Sequence, residues 1–153
     1  MAATSRGDVD LPAFFSDLVR CETRLYNALN DRLRERHGIV TSQFEFLRFL
    51  RDHPGARVGD LAAEFAVGIG ATSKGTDRMA QQGWVERLPN PADRRSSLLA
   101  LTDAGTLLVQ AAEDTFTERL TELLADTALT TAARTLAQLR ATLEREQIGL
   151  PTG

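Results

Sequence analysis

The chain has 153 residues and a formal net charge of -3, with 42% hydrophobic and 25% charged residues. That composition suits one globular unit of ordinary size and excludes a disordered tail, a collagen-like fibre and, since no apolar run approaches ~18 residues, a membrane span. One cysteine and two histidines can form neither an internal disulfide nor a tetrahedral metal cluster, and Met1–Asp10 lacks the cationic-then-apolar pattern of an export signal, so the expectation is a cytoplasmic protein with no cofactor and no membrane partner.

Asp10-Leu11-Pro12 opens a first helix, with proline in the first turn where its missing N–H costs nothing. Leu11, Phe14, Phe15, Leu18, Leu25, Leu29 and Leu33 then recur at helical spacing as one apolar stripe, and Gly38 is the stop. Thr41 or Ser42 caps a second helix, Ser42 with Glu45 fitting a capping box; Phe44, Leu47 and Leu50 mark its buried side, and His53-Pro54-Gly55 ends it. A short third helix covers Val58 to Phe65, with Val58, Leu61, Ala62 and Phe65 inward. Val67-Gly68-Ile69-Gly70 reads as a turn, followed by a fourth helix from Ala71 to Gln82 that stops at Gly83. Two short helices joined by a tight glycine-containing turn are the signature of a helix-turn-helix. Trp84–Leu88 and Ser97–Leu101 read as strands around a loop, Pro89–Asp93, that is rich in turn formers. Thr102 caps a fifth helix with Leu107, Leu108, Ala111, Ala112, Phe116, Leu120, Leu123 and Leu124 as its apolar face. A sixth starts near Thr130, with Leu136, Leu139 and Leu143 as its stripe. The predicted fold is mainly α: a winged helix-turn-helix in the order four helices, two strands, two helices.

Catalysis finds no foothold. There is no phosphate-binding glycine loop, no G-x-S-x-G elbow and no H-E-x-x-H, and two histidines without a partner in register give little to build acid–base chemistry from, so no enzyme is expected. Charge is distributed unevenly. Residues 98–153 carry four basic against eight acidic side chains, whereas 67–97 carry five against three, so the middle of the chain is the least repellent to phosphate. If Thr72, Thr76 and Met79 of the fourth helix face inward, the outward set is Gly70, Ala71, Ser73, Lys74, Asp77 and Arg78. Small residues and cations there suit a helix lying in the major groove, Ser73 and Lys74 for base or phosphate and Arg78 for phosphate or guanine. Gly75 permits either close packing or close approach to DNA. At the hairpin tip, Asp93-Arg94-Arg95 offers a guanidinium for the narrow minor groove, with Asp93 expected to pair with an arginine and hold the loop in shape.

The run Asp93-Arg94-Arg95-Ser96-Ser97-Leu98-Leu99-Ala100-Leu101-Thr102 fits D-x-R-x-x-x-x-x-L-T and resembles the wing signature of the MarR family of bacterial transcription regulators, continuing into Asp103-Ala104-Gly105 as in that family's L-T-x-x-G. Asp77-Arg78-Met79 with Gly83-Trp84-Val85-Glu86-Arg87, the approach Gly38–Phe44 and Leu61-Ala62-Ala63-Glu64 extend the likeness over roughly residues 11–145. The resemblance implies that Arg95 is the minor-groove arginine, Asp93 its brace and Arg94 a second groove or phosphate contact, and that Ala71, Ser73, Lys74 and Arg78 occupy the recognition-helix positions. Gly75, Gly68 and Gly70 depart from the family pattern.

It further implies a homodimer built from the terminal helices (residues 1–40 and 103–153) around a DNA-binding unit (41–102), on a pseudo-palindromic double-stranded operator whose half-sites lie about 34 Å apart. In relatives a small phenolic or other aromatic anion often binds between dimer helices and DNA-binding lobe, so the resemblance implies a repressor released by such an effector; Phe14, Arg24, His37, Phe44, Phe46 and Arg78 are the candidate lining. His37 has a plainer reading as a cation favoured at the C-terminal end of the first helix. Two other functions stay open. Cys21, with Arg20 and Arg24 beside it, suggests a redox-sensing regulator, although its local context differs from that of peroxide-sensing relatives. A winged helix can also be a protein–protein adaptor without DNA binding, which would have no need of two arginines at the tip.

Overall fold

A computed structural model describes residues 7, 9–125 and 127–152. Met1–Arg6, Asp8, Asp126 and Gly153 lie outside the described residues, and with them most of the segment read for an export signal. The elements are α1 (Leu11–His37), α2 (Thr41–Asp52), α3 (Val58–Phe65), α4 (Ile69–Gln81), β1 (Val85–Leu88), β2 (Leu98–Leu101), α5 (Asp103–Leu124) and α6 (Leu129–Arg145). Six helices and a two-stranded antiparallel hairpin make the expected winged helix-turn-helix order.

Local chemistry sets most of the boundaries. The Asp10 side chain accepts from Ala13 N–H at 3.1 Å to cap α1, and Gly38 closes it in the left-handed conformation, φ 67°, donating its N–H to Arg34 O. α3 begins where the Asp60 carboxylate accepts from Arg57 N–H at 2.9 Å. The Thr102 hydroxyl accepts from Gly105 N–H at 3.0 Å to start α5. Two expected starts are displaced. α2 is not capped by Ser42 and Glu45: Gln43 Oε1 accepts from Val40 N–H, and Thr41 is buried with its N–H donated to Asn30 Oδ1 at 2.8 Å. α4 begins two residues before Ala71, because Gly68 is its N-cap and Ile69-Gly70 already form its first turn.

The core sits where the helix-turn-helix, the hairpin and α5 meet. Leu33, Ile39, Phe44, Leu47, Leu50, Met79, Val85, Leu99, Val109 and Ala112 fill it, with Phe44 and Phe116 ring centroids 4.6 Å apart. β2 is pinned to this body on its free edge: Leu99 N–H donates to Ala56 O at 2.8 Å and Gly55 N–H to Leu99 O. The wing is therefore anchored at its base and free at its tip. Trp84 O accepts from Thr102 N–H at 3.0 Å, and a Cβ built on Gly105 would run into that same oxygen and lie 2.9 Å from the Trp84 carbonyl carbon. α5 can leave the wing at this angle only because residue 105 has no side chain.

α5 turns a different face inward than its leucines suggest. Gly105, Val109, Ala112 and Thr115 are buried, whereas Leu107 is 68% exposed. Polar pairs tie this helix to its neighbours: Arg36–Glu118 at 2.6 Å and Arg32–Glu122 at 3.1 Å to α1, and a bidentate Arg51–Glu113 pair to α2. The arginine holds the Glu113 carboxyl below its ordinary range. These pairs are solvent-accessible and orient helices more than they stabilise them. The first turns of α1 find no cover among the described residues, with Leu11, Phe14 and Phe15 exposed, and no residue of α6 is buried.

Candidate nucleic-acid interface

The outward face of α4 is decided by what its inward face buries. Thr72, Thr76 and Met79 are enclosed, as their spacing predicts. The two hydroxyls need no partner outside the helix, since Thr72 donates to Gly68 O and Thr76 to Thr72 O, both at 2.9 Å. Ala71, Lys74 and Arg78 are consequently exposed, with Ser73 half-buried beside them. Asp77 is exposed on the same helix, but its carboxylate is taken up by Arg87 of β1 at 2.7 Å. Gly75 points elsewhere: a Cβ there would meet Phe46 Cε2 at 3.7 Å, an ordinary packing contact, so this glycine faces α2.

The wing loop holds itself by hydrogen bonds of its own side chains, two to backbone and one to another side chain. Asn90 Oδ1 accepts from Ala92 N–H at 3.0 Å, Asn90 Nδ2 donates to Ser96 Oγ at 3.2 Å, and Asp93 Oδ1 accepts from Arg95 N–H at 2.9 Å. The expected arginine–Asp93 ion pair is not formed: Asp93 binds the main chain of Arg95 and leaves the guanidinium loose. Asn90 belongs to the loop that its turn formers predict, but its tie across the loop to Ser96 is not visible in the sequence. The pairing of Arg87 with Asp77 is not legible either, because a partner on another element cannot be seen from spacing.

Among the described residues, the charges of the helix-turn-helix and wing sort cleanly. Arg57 is paired with Asp60 at 3.0 Å and Arg87 with Asp77, while Lys74, Arg78, Arg94 and Arg95 have no carboxylate partner. All four are exposed.

Sequence comparison fits this geometry. The MarR family model matches residues 39–97. The multiple antibiotic resistance protein MarR of Salmonella typhimurium is 30% identical over 102 residues, which are 63% of this chain and 71% of that protein. The chain belongs to the MarR family. The MarR protein of Escherichia coli is 33% identical over 90 residues, 56% of this chain, and the match spans 62% of that relative's length. A crystal structure of an Escherichia coli MarR variant complexed with operator DNA superposes with a TM-score of 0.73 at 27% identity, covering 84% of this chain and 92% of the other. These relatives are transcription regulators, not enzymes.

The residues expected to line an effector site are dispersed in this MarR-family chain. Phe44 is completely enclosed against Phe116 and cannot touch an incoming molecule without moving. Phe46 packs on Phe65 with centroids 5.1 Å apart, Phe14 and Arg24 are exposed on α1, and Arg78 belongs to the outward face of α4. Cys21 is exposed on α1.

His37 is not a favoured cation. Its Nε2 lies 2.7 Å from Thr115 Oγ1 of α5, and burial, then the charge of Arg36, hold its pKa below the ordinary histidine value. The folded state prefers the neutral ring, so this contribution is fully present above pH ~6.5 and is lost as pH falls through the lower folded value. Thermal melts of the wild type should therefore lose stability on acidification from pH 7 to pH ~5. His37→Gln should lessen that loss; a variant with the wild-type pH dependence would remove His37 as its source.

Proposed function

We propose that the chain is a cytoplasmic, homodimeric repressor that occupies pseudo-palindromic promoter DNA through α4 and the wing until a small aromatic anion releases it. The carrying observation is the charge sorting: Asp60 is paired with Arg57, Asp77 with Arg87, and Asp93 accepts from the Arg95 backbone N–H, which leaves the side chains of Lys74, Arg78, Arg94 and Arg95 for phosphate and groove contacts. Ala71 and Ser73 on the same face are small enough to let the helix approach base edges. Dimerisation through α1, α5 and α6, with residues 41–102 as the DNA-binding unit, is supported by the unburied apolar side chains Leu11, Phe14, Phe15, Leu136 and Leu139, which a second copy would cover. Release by an effector requires that the ligand favour one arrangement of the two lobes, and the junction of α1 with α5 near His37 is the proposed place.

Fluorescence anisotropy with a labelled duplex at several salt concentrations tests the reading. If four cations from each of two copies contact phosphate, log affinity should fall against log salt with a slope of about -7. A slope near zero, or no retention on heparin, would favour the protein–protein adaptor instead.

A further inference from the structure

We propose that the cleft between α3 and the C-terminal end of α6 binds a lipophilic organic cation, held by the Glu64 carboxylate against the Phe65 ring. Two adjoining cavities of about 540 and 400 Å³ share Glu64, Phe65, Arg140 and Glu144. Each falls in the size range of small-molecule sites. Leu143, Ile148 and Leu150 supply the apolar wall of the larger one, and Phe49 and His53 that of the smaller.

The Phe65 ring is held in place from behind. Its centroid is 5.1 Å from that of Phe46 and 6.1 Å from that of Phe49 in an edge-on pair, and Phe49 in turn stacks on His53 at 4.2 Å. A fixed aromatic face beside a carboxylate suits a cation whose charge is spread over a greasy body, because the ring attracts the charge while apolar neighbours cover the rest.

Charge pairing selects the sign. Asp60 is taken by Arg57 at 3.0 Å, Asp52 by Arg51 at 3.0 Å, Glu45 by Arg48 at 4.0 Å and Glu144 by Arg140 at 3.4 Å. Glu64 has no ion-pair partner among the described residues, and the Arg51 that meets Asp52 is shared with Glu113, so the cleft is net negative. An aromatic anion would meet Glu64 with every nearby arginine already engaged. The proposal stands whether or not the chain binds DNA.

Calorimetric titration of the full chain with tetraphenylphosphonium, and with tetraphenylborate as its near-isosteric anion, tests this. The cation should bind at least tenfold more tightly than the anion. Glu64→Gln should weaken cation binding about fivefold and Arg140→Gln should strengthen it, while Ile148→Ser, at an exposed position, should weaken it without unfolding the chain. Equal binding of both ions would mean a merely greasy surface. Binding indifferent to Glu64→Gln and Ile148→Ser would place the ligand elsewhere, and no binding of either ion would mean that a second copy fills the cleft. Each of these results overturns the proposal.

Discussion

Arg95→Ala is expected to weaken binding to duplex DNA by about 1–3 kcal/mol, or roughly five- to 150-fold, with the subunit assembly unchanged. The expectation follows from how the loop is built. Asp93 holds residue 95 through its backbone N–H, and Asn90 ties both flanks of the tip, so an alanine retains every bond that shapes the loop. Only the guanidinium is lost, and it has no carboxylate partner within the described residues that the substitution would strand. Asp93→Ala offers the contrasting case, keeping both arginines but removing the bond that presents one of them. A titration in which Arg95→Ala overlays the wild type would take the wing out of the interface.

Gly105→Ala should be severely destabilising, by about 3 kcal/mol or more, because the new Cβ meets backbone and not a side chain that can swing away. The Trp84 carbonyl it strikes is held by Thr102 N–H, and the Thr102 side chain caps α5, so the clash falls on the joint between wing and helix. For a chain of this size the melting temperature should drop by roughly 6–12 °C. Gly75→Ala provides an internal control of opposite sign. There the Cβ would reach Phe46 at an ordinary 3.7 Å, and replacing a mid-helix glycine should gain up to ~1 kcal/mol. If thermal melts place both variants within a degree or two of the wild type, the close approach at Gly105 is wrong.

What could be read from the residues was whatever is decided locally. The Asp10 cap, the Gly38 stop, the extent of α3 and the inward triad of α4 depend on neighbours within a turn or two, and the structure agrees with them. Errors arose where a distant partner decides. The apolar spacing of α5 agrees with the structure only in part: Ala112 is buried and Leu108 and Phe116 pack on the core, but Leu107 is exposed, and Gly105, Val109 and Thr115, outside the predicted face, are buried, Gly105 against Trp84 and Thr115 against His37. His37 looked like a helix-end cation until α5 closed over it. Asp93 was expected to bind a guanidinium, but the Arg95 amide two residues on is nearer and already fixed. Gly68-Ile69-Gly70 read as a turn because two glycines weaken a helix, yet the back-bond from buried Thr72 to Gly68 O carries α4 through them. The four free cations of the interface were legible as basic residues; that their acidic neighbours are engaged elsewhere was not.

A helix of 17 residues with no enclosed side chain is only marginally stable by itself in water. α6 therefore owes its order to company. If that company is another molecule of the same kind, abundance in the cell governs shape as well as occupancy: a dilute population would present frayed C-terminal ends open to proteolysis, and a crowded one would protect them.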